Sequence, residues 1–310
     1  MNKRYSKVIE RLHNKEIVIL DGAIGTELEK RGVQMDETWS GSASLKFEIL
    51  KKIHIDYIKA GAEIITTNTY PSNRIMLDAA GFGSRFEEIN LKAINAAIEA
   101  RIETDRDDIL IAGSMSHRFP IAHGDLQSNP AISVSKSHLK EVCDEMSEIL
   151  SQNGCDFILL EMMYHPDRIK TVFESAKKTN KPIWACFSAR KSPEGQLLSF
   201  TDQVDLPFNK LIQIVHDYNL DAVGINHTSL DITSEIINEI KQVYNGPIIV
   251  YPDTGGWISP NWIFDYAIKP KELKKKVHQW VKEGAQIIGG CCGTSPKHIK
   301  ALSELKIVKL

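Results

Sequence analysis

Eight short, strongly apolar runs recur along the chain, and that recurrence constrains the fold more than any other feature. They cover residues 17–22 (IVILDG), 62–70 (AEIITTNTY), 109–116 (ILIAGSMS), 156–163 (DFILLEMM), 182–188 (PIWACFS), 222–228 (AVGINHT), 247–253 (PIIVYPD) and 285–292 (AQIIGGCC). The runs are continuous rather than alternating, rich in Ile and Val, and bounded by Gly, Pro or Asn. Strands buried on both faces of a parallel sheet have this pattern. Amphipathic segments separate them. Residues 45–60 place Leu45, Ile49, Ile53, Tyr57 and Ile58 on one helical face, and 139–152, 167–178 and 270–283 repeat the pattern. Helices run into strands through KAGAEII, QNGCDFI, YNLDAVG and KEGAQII, where a Gly or Asn ends the helix.

Eight strands alternating with helices predict an α/β fold, a single-domain (β/α)₈ TIM barrel over residues 1–310. A doubly wound open sheet is the rival, but DGAIGTE after the first strand lacks the glycine spacing of a dinucleotide site. With 38 Lys and Arg against 40 Asp and Glu, the chain carries no basic stripe for nucleic acid. The Lys-rich segment 271–280 is interrupted by apolar residues and reads as a solvated helix face. There is no apolar run of membrane-spanning length, and the first residues lack the core of a signal peptide, so a cytoplasmic protein is expected. Five cysteines in 310 residues are too few for a disulfide framework.

Barrel chemistry sits at the C-terminal strand ends. Asp21, Asn68, Thr69, Ser114, His117, Glu161, His165, Asn226, His227, Asp253, Cys291 and Cys292 all fall there. Two cysteines and one histidine form a three-ligand zinc set with a fourth position open. Cys143, Cys155 and Cys186 read instead as small buried hydrophobes. Cys291 and Cys292 lie within GGCCG, which offers little packing and an adaptable backbone. Asp21 is placed equally well to cap a helix over 24–31. Glu161 ends the apolar FILL run, where a purely structural acid is out of place, whereas each histidine alone is an ordinary polar residue.

These residues carry a resemblance. LDGAIGTELEKRG (20–32), HIDYIKAGAEIITTNTY (54–70) and IIGGCCGTSPKHI (287–299) are similar to the homocysteine S-methyltransferase family, over nearly the whole chain. The resemblance implies a (β/α)₈ barrel and a zinc ion held by three cysteines, two of which map onto Cys291 and Cys292. It assigns Asp21 and Glu161 to the amino-acid substrate. The departures lie at the rim. His227 in GINHTS takes the place of the first cysteine, Ser116-His117 replaces a Gly-Pro pair, and Asp253 stands for Asn in YPDTGG. Gly256 takes a Glu position, and Met162 and Tyr164 replace Thr and Pro in LEMMY.

The expected reaction moves a methyl group from a small onium donor to the thiol of homocysteine or a related thiol, as in methionine biosynthesis. Zn²⁺ coordination deprotonates the thiol, His227, Cys291 and Cys292 being both metal ligands and catalytic residues. Asp21, Glu161, Asn68, Tyr70, Asp253 and His117 form the expected substrate-binding set, with Trp39, Tyr70, Tyr164 and Trp257 available to an onium charge. The partners are a small-molecule methyl donor and an amino-acid thiol, without nucleic acid or membrane, and self-association is left open. A neutral imidazole in place of a thiolate makes zinc a stronger Lewis acid. Zinc-dependent hydrolysis or lyase chemistry on a small amino-acid-like or onium substrate is therefore the second reading, and a non-catalytic binding protein the third.

Overall fold

Each apolar run forms one strand of a single parallel sheet in the computed structural model, which describes residues 2–36, 38–120, 129, 132–258, 261–263 and 267–307. The strands are β1 (Val18–Ile19), β2 (Ile64–Thr66), β3 (Leu110–Met115), β4 (Phe157–Met163), β5 (Ile183–Phe187), β6 (Ala222–Ser229), β7 (Ile248–Asp253) and β8 (Ala285–Ile288). Their order around the sheet is β1-β8-β7-β6-β5-β4-β3-β2, and a parallel bridge from Leu20 to Ile64 joins the two ends. The ring is closed and the open-sheet rival is excluded.

Helices pack outside the ring. The helix expected over 45–60 runs Phe47–Ala60, behind a 3₁₀ turn Ser42–Leu45. Its buried face is Leu50, Ile53, His54, Tyr57 and Ile58, with Leu45 and Ile49 half-buried against the same core. Pro270–Glu283 forms as expected, and Pro166–Lys177 and Lys136–Gln152 differ from expectation only at their ends. Gly61 and Gly284 end their helices in the left-handed region, which suits a residue without Cβ.

Successive strand residues face opposite ways. Phe157 and Leu159, Trp184 and Cys186, Ile249 and Tyr251 point inward with Val18, Leu20, Ile64 and Leu110, while Ile158, Leu160, Ala185 and Val250 pack against the helices. The helix Lys3–His13 closes the bottom of the barrel. Its Tyr5 hydroxyl donates to Asp221 at 2.6 Å and accepts from Trp184 Nε1 at 2.8 Å. The same alternation carried one step beyond the apolar layer aims Ser114, Glu161, Asn226 and Tyr251 into the upper barrel.

Candidate metal and substrate centre

At the open end, the turn after β8 delivers both neighbouring thiols. A Cβ on Gly289 would lie 2.8 Å from the Asp21 carbonyl oxygen, so that residue keeps β1 and β8 in close approach. Cys291 N–H donates to the Pro252 carbonyl, and the Cys292 carbonyl accepts from Thr254 N–H, both at 3.0 Å. Opposite them stands His227. Its Nδ1 lies 3.8 Å from Cys291 Sγ and 3.5 Å from Cys292 Sγ, and the two sulfurs are 3.7 Å apart. A tetrahedral zinc with Zn–S about 2.3 Å and Zn–N about 2.0 Å separates its donors by roughly 3.5–3.8 Å. The three side chains therefore fit such an ion as they stand, and among the described residues they are the group of metal-ligand type that converges.

The electrostatics match a set built for a cation. The Cys291 thiol is pulled well below its ordinary value, first by the Cys292 hydrogen bond and then by His227. Burial and the charge developing on Cys291 push Cys292 up, so the two thiols do not ionise together without a metal. Burial opposes protonation of His227, but the Asp253 carboxylate, 3.5 Å from Nδ1, reverses the balance and the net shift is upward. Asp253 is itself raised to about 6 by burial, with His227 acting against the rise.

A cavity of about 120 Å³ opens beside this trio, walled by Asp21, Asn68, Tyr70, Glu161, Asn226 and Tyr251 among others. Asp21 does not cap the helix Ile24–Lys30, whose N-cap is Ala23. Its carboxylate instead accepts from Thr66 N–H at 2.8 Å and from the Thr66 hydroxyl at 3.2 Å. Glu161 accepts from the Tyr251 hydroxyl at 2.8 Å and from the Ser114 hydroxyl. Burial raises Asp21 well above the usual range, and it raises Glu161 to about 7 despite the Ser114 bond. Among the described residues no cation forms an ion pair with either acid. Two buried carboxylates fed only by neutral donors leave a place for a cationic group.

The other expected residues divide. Asn68 lines the cavity with its amide fixed to the Ser40 carbonyl at 2.7 Å and the Ser44 hydroxyl at 3.0 Å. Trp39 and Tyr70 also line it, their rings stacked at 6.4 Å, and the Tyr70 hydroxyl points to Met162 Sδ at 2.8 Å. His117 does not join them. Its Nε2 accepts from the backbone of Tyr164 and His165 at 3.2 and 3.4 Å, and its ring packs on Tyr164, so it secures the β4 turn. Tyr164 is buried behind that turn and His165 pairs with Gln203. Asp253 faces a neighbouring cleft on the other side of His227. The side chain of Trp257 lies outside the described residues. Cys143, Cys155 and Cys186 are buried, as expected of small apolar residues, although Cys186 also reaches Tyr251.

Several contributors escape a reading of strand ends. Tyr251 joins the expected Ser114 in holding Glu161, Thr66 holds Asp21, and Phe200 sets its ring edge-on to His227 at 5.4 Å between centroids. Phe200 follows a hairpin (Ala189–Lys191 with Leu197–Ser199) that periodicity does not separate from β5. Trp39, Met162 and His227 adopt φ of +64°, +52° and +43°. Left-handed backbone costs a residue with a side chain about 1–2 kcal/mol, and all three of these line the cavity.

A family model described as Homocysteine S-methyltransferase matches residues 18–305. Homocysteine S-methyltransferase 2 of Zea mays is 28% identical over 305 residues, covering 92% of this chain and 88% of that protein. Selenocysteine methyltransferase of Astragalus bisulcatus is 25% identical over 318 residues, covering 93% and 91%. Among solved structures, the metallated form of the Escherichia coli homocysteine methyltransferase MmuM shares the fold with a TM-score of 0.77 at 24% identity, over 98% of this chain and all of that one. With the family model spanning nearly all of the barrel, the chain belongs to the homocysteine S-methyltransferase family.

Proposed function

We propose that this protein is a zinc-dependent S-methyltransferase that carries a methyl group from a small onium donor to the thiol of homocysteine or a closely related amino thiol. The observation that carries this reading is the convergence of His227 Nδ1, Cys291 Sγ and Cys292 Sγ beside two buried carboxylates that no cation pairs among the described residues. His227, Cys291 and Cys292 would hold the zinc ion, which would supply a Lewis acid at the sulfur end of the site, favouring the ionised thiol at neutral pH. Glu161 and Asp21 bind the substrate ammonium group and orient the thiol end toward the cysteines. Tyr251, Ser114 and Thr66 fix those carboxylates before substrate arrives. No residue need act as general base, because the protein's task is alignment of sulfur, methyl carbon and leaving group. Trp39 and Tyr70 present aromatic faces to the onium charge of the donor. The relatives named as homocysteine and selenocysteine methyltransferases support an amino-acid acceptor. A reducing, cytoplasmic setting suits chemistry that needs free thiols.

The neutral imidazole favours the second reading, hydrolysis or elimination, and one assay separates the two. Zinc-loaded protein is incubated with sulfonium or quaternary ammonium donors and with homocysteine or cysteine, and products are followed by mass spectrometry. A thioether product is expected. Zinc-dependent consumption of the donor without a methylated thiol would overturn the transferase reading.

A further inference from the structure

We infer that Asn226 is a positioning residue that sets the distance between the sulfur end and the ammonium end of the site, and so gauges the acceptor's chain length. The inference rests on the amino-thiol reading above. Asn226 immediately precedes His227, and Met162 immediately follows Glu161. Asn226 Oδ1 accepts from Met162 N–H at 2.8 Å. β4 and β6 are not neighbours in the sheet, since β5 lies between them, so this bond reaches past β5 at the open end of the barrel.

It acts where ladder pairing gives way. The register of β4 against β5 shifts between Leu160 and Met163, and that of β6 against β7 shifts between Asn226 and Ser229. Met162 and His227, one on each side of the bond, both have left-handed backbone. Two irregular strand segments, one carrying the amine-binding acid and one a metal ligand, are thus tied directly by a single side chain. Its own backbone is anchored, because the Ser188 and Thr228 hydroxyls donate to the Asn226 carbonyl at 2.8 and 2.9 Å. The Met162 N–H requires an acceptor, which identifies the bonded atom as Oδ1 and turns Nδ2 elsewhere. Homocysteine and cysteine differ by one methylene, about 1.5 Å of bond length, so a rigid spacing distinguishes them.

The test is isothermal titration of zinc-loaded protein with homocysteine and with cysteine. The native chain should prefer one thiol by about 10-fold or more, the usual worth of a methylene in a fitted site. Asn226→Ala should compress that ratio to about twofold, whereas Asn226→Asp, which keeps the acceptor oxygen, should retain it. A packing role alone would weaken both thiols alike and leave the ratio unchanged. Should the alanine variant not fold, Asn226→Gln, with a strut one methylene longer, must also reduce the ratio. An unchanged ratio in the alanine or glutamine variant, a collapsed ratio in the aspartate variant, or a native protein indifferent to chain length overturns the inference. If the native protein binds neither thiol, the proposed function fails instead. Zinc affinity by chelator competition then decides the strut, a loss of about 10–100-fold in Asn226→Ala supporting it and an unchanged affinity overturning it.

Discussion

Replacing Glu161 by Gln should stabilise the substrate-free protein at pH 8 while weakening its grip on an amine. Burial raises this carboxyl from an ordinary 4.5 to about 7, so holding it ionised at pH 8 costs about 3 kcal/mol relative to the unfolded chain. Below pH 4.5 the acid is neutral in both states and the penalty is absent. As pH rises, the unfolded chain ionises first and native stability falls until the folded group follows near 7. Glutamine removes that fall. It also exchanges the charge-assisted bonds from Tyr251 and Ser114 for neutral ones, which returns roughly 1–2 kcal/mol of the gain. A net gain of about 1–2 kcal/mol at pH 8 should appear as a melting point higher by roughly 2–3 °C, with no gain at pH 4.5. Thermal unfolding of both proteins at the two pH values, at equal zinc loading, measures the difference. A variant that melts below the native protein at pH 8, or gains equally at both pH values, would refute the account of Glu161 as a buried carboxylate awaiting a cation.

The same carboxyl predicts that KM for an amino thiol falls as pH rises through about 7, because only the ionised form pairs with ammonium, and that Glu161→Gln flattens this profile. Asp21→Asn should weaken the amino thiol by about 2–5 kcal/mol with zinc content unchanged, measured by titration and metal analysis. Replacing Cys291 and Cys292 together by Ser should reduce bound zinc from about one per chain to none, and full retention would contradict their role as ligands. His227→Cys should keep zinc and raise the methyl-transfer rate, since a further thiolate makes the acceptor sulfur more electron-rich. A lower rate would favour Lewis-acid chemistry.

Much of the barrel was legible because buried parallel strands advertise themselves as unbroken apolar runs. Those runs also located Asp21, Glu161, His227, Cys291 and Cys292 at one rim, and the cavity gathers all five. Side-chain direction was not legible where a strand stops being regular. At the bulges beside Met162 and His227 the two-residue period no longer says which way a side chain points. His117 looks like a rim histidine in sequence, yet its ring is occupied by the backbone after β4. Tyr251 looks like one more apolar strand residue, yet its hydroxyl reaches Glu161, three strands earlier in sequence. Asp21 left open a choice between cap and site because both begin at the end of β1, and only the Thr66 bonds decide it.

The helix beneath the barrel bears on the order of synthesis. Tyr5 finds its carboxylate at Asp221, 216 residues later, and the carbonyl of Leu12 meets Gln286, 274 residues later. A ribosome releases the amphipathic helix early, but its resting place exists only after most of the remaining chain has emerged. β1 waits similarly for β8. Until then the apolar face of Tyr5, Val8 and Leu12 lacks its native floor, so its burial depends on contacts of the longest range in the chain.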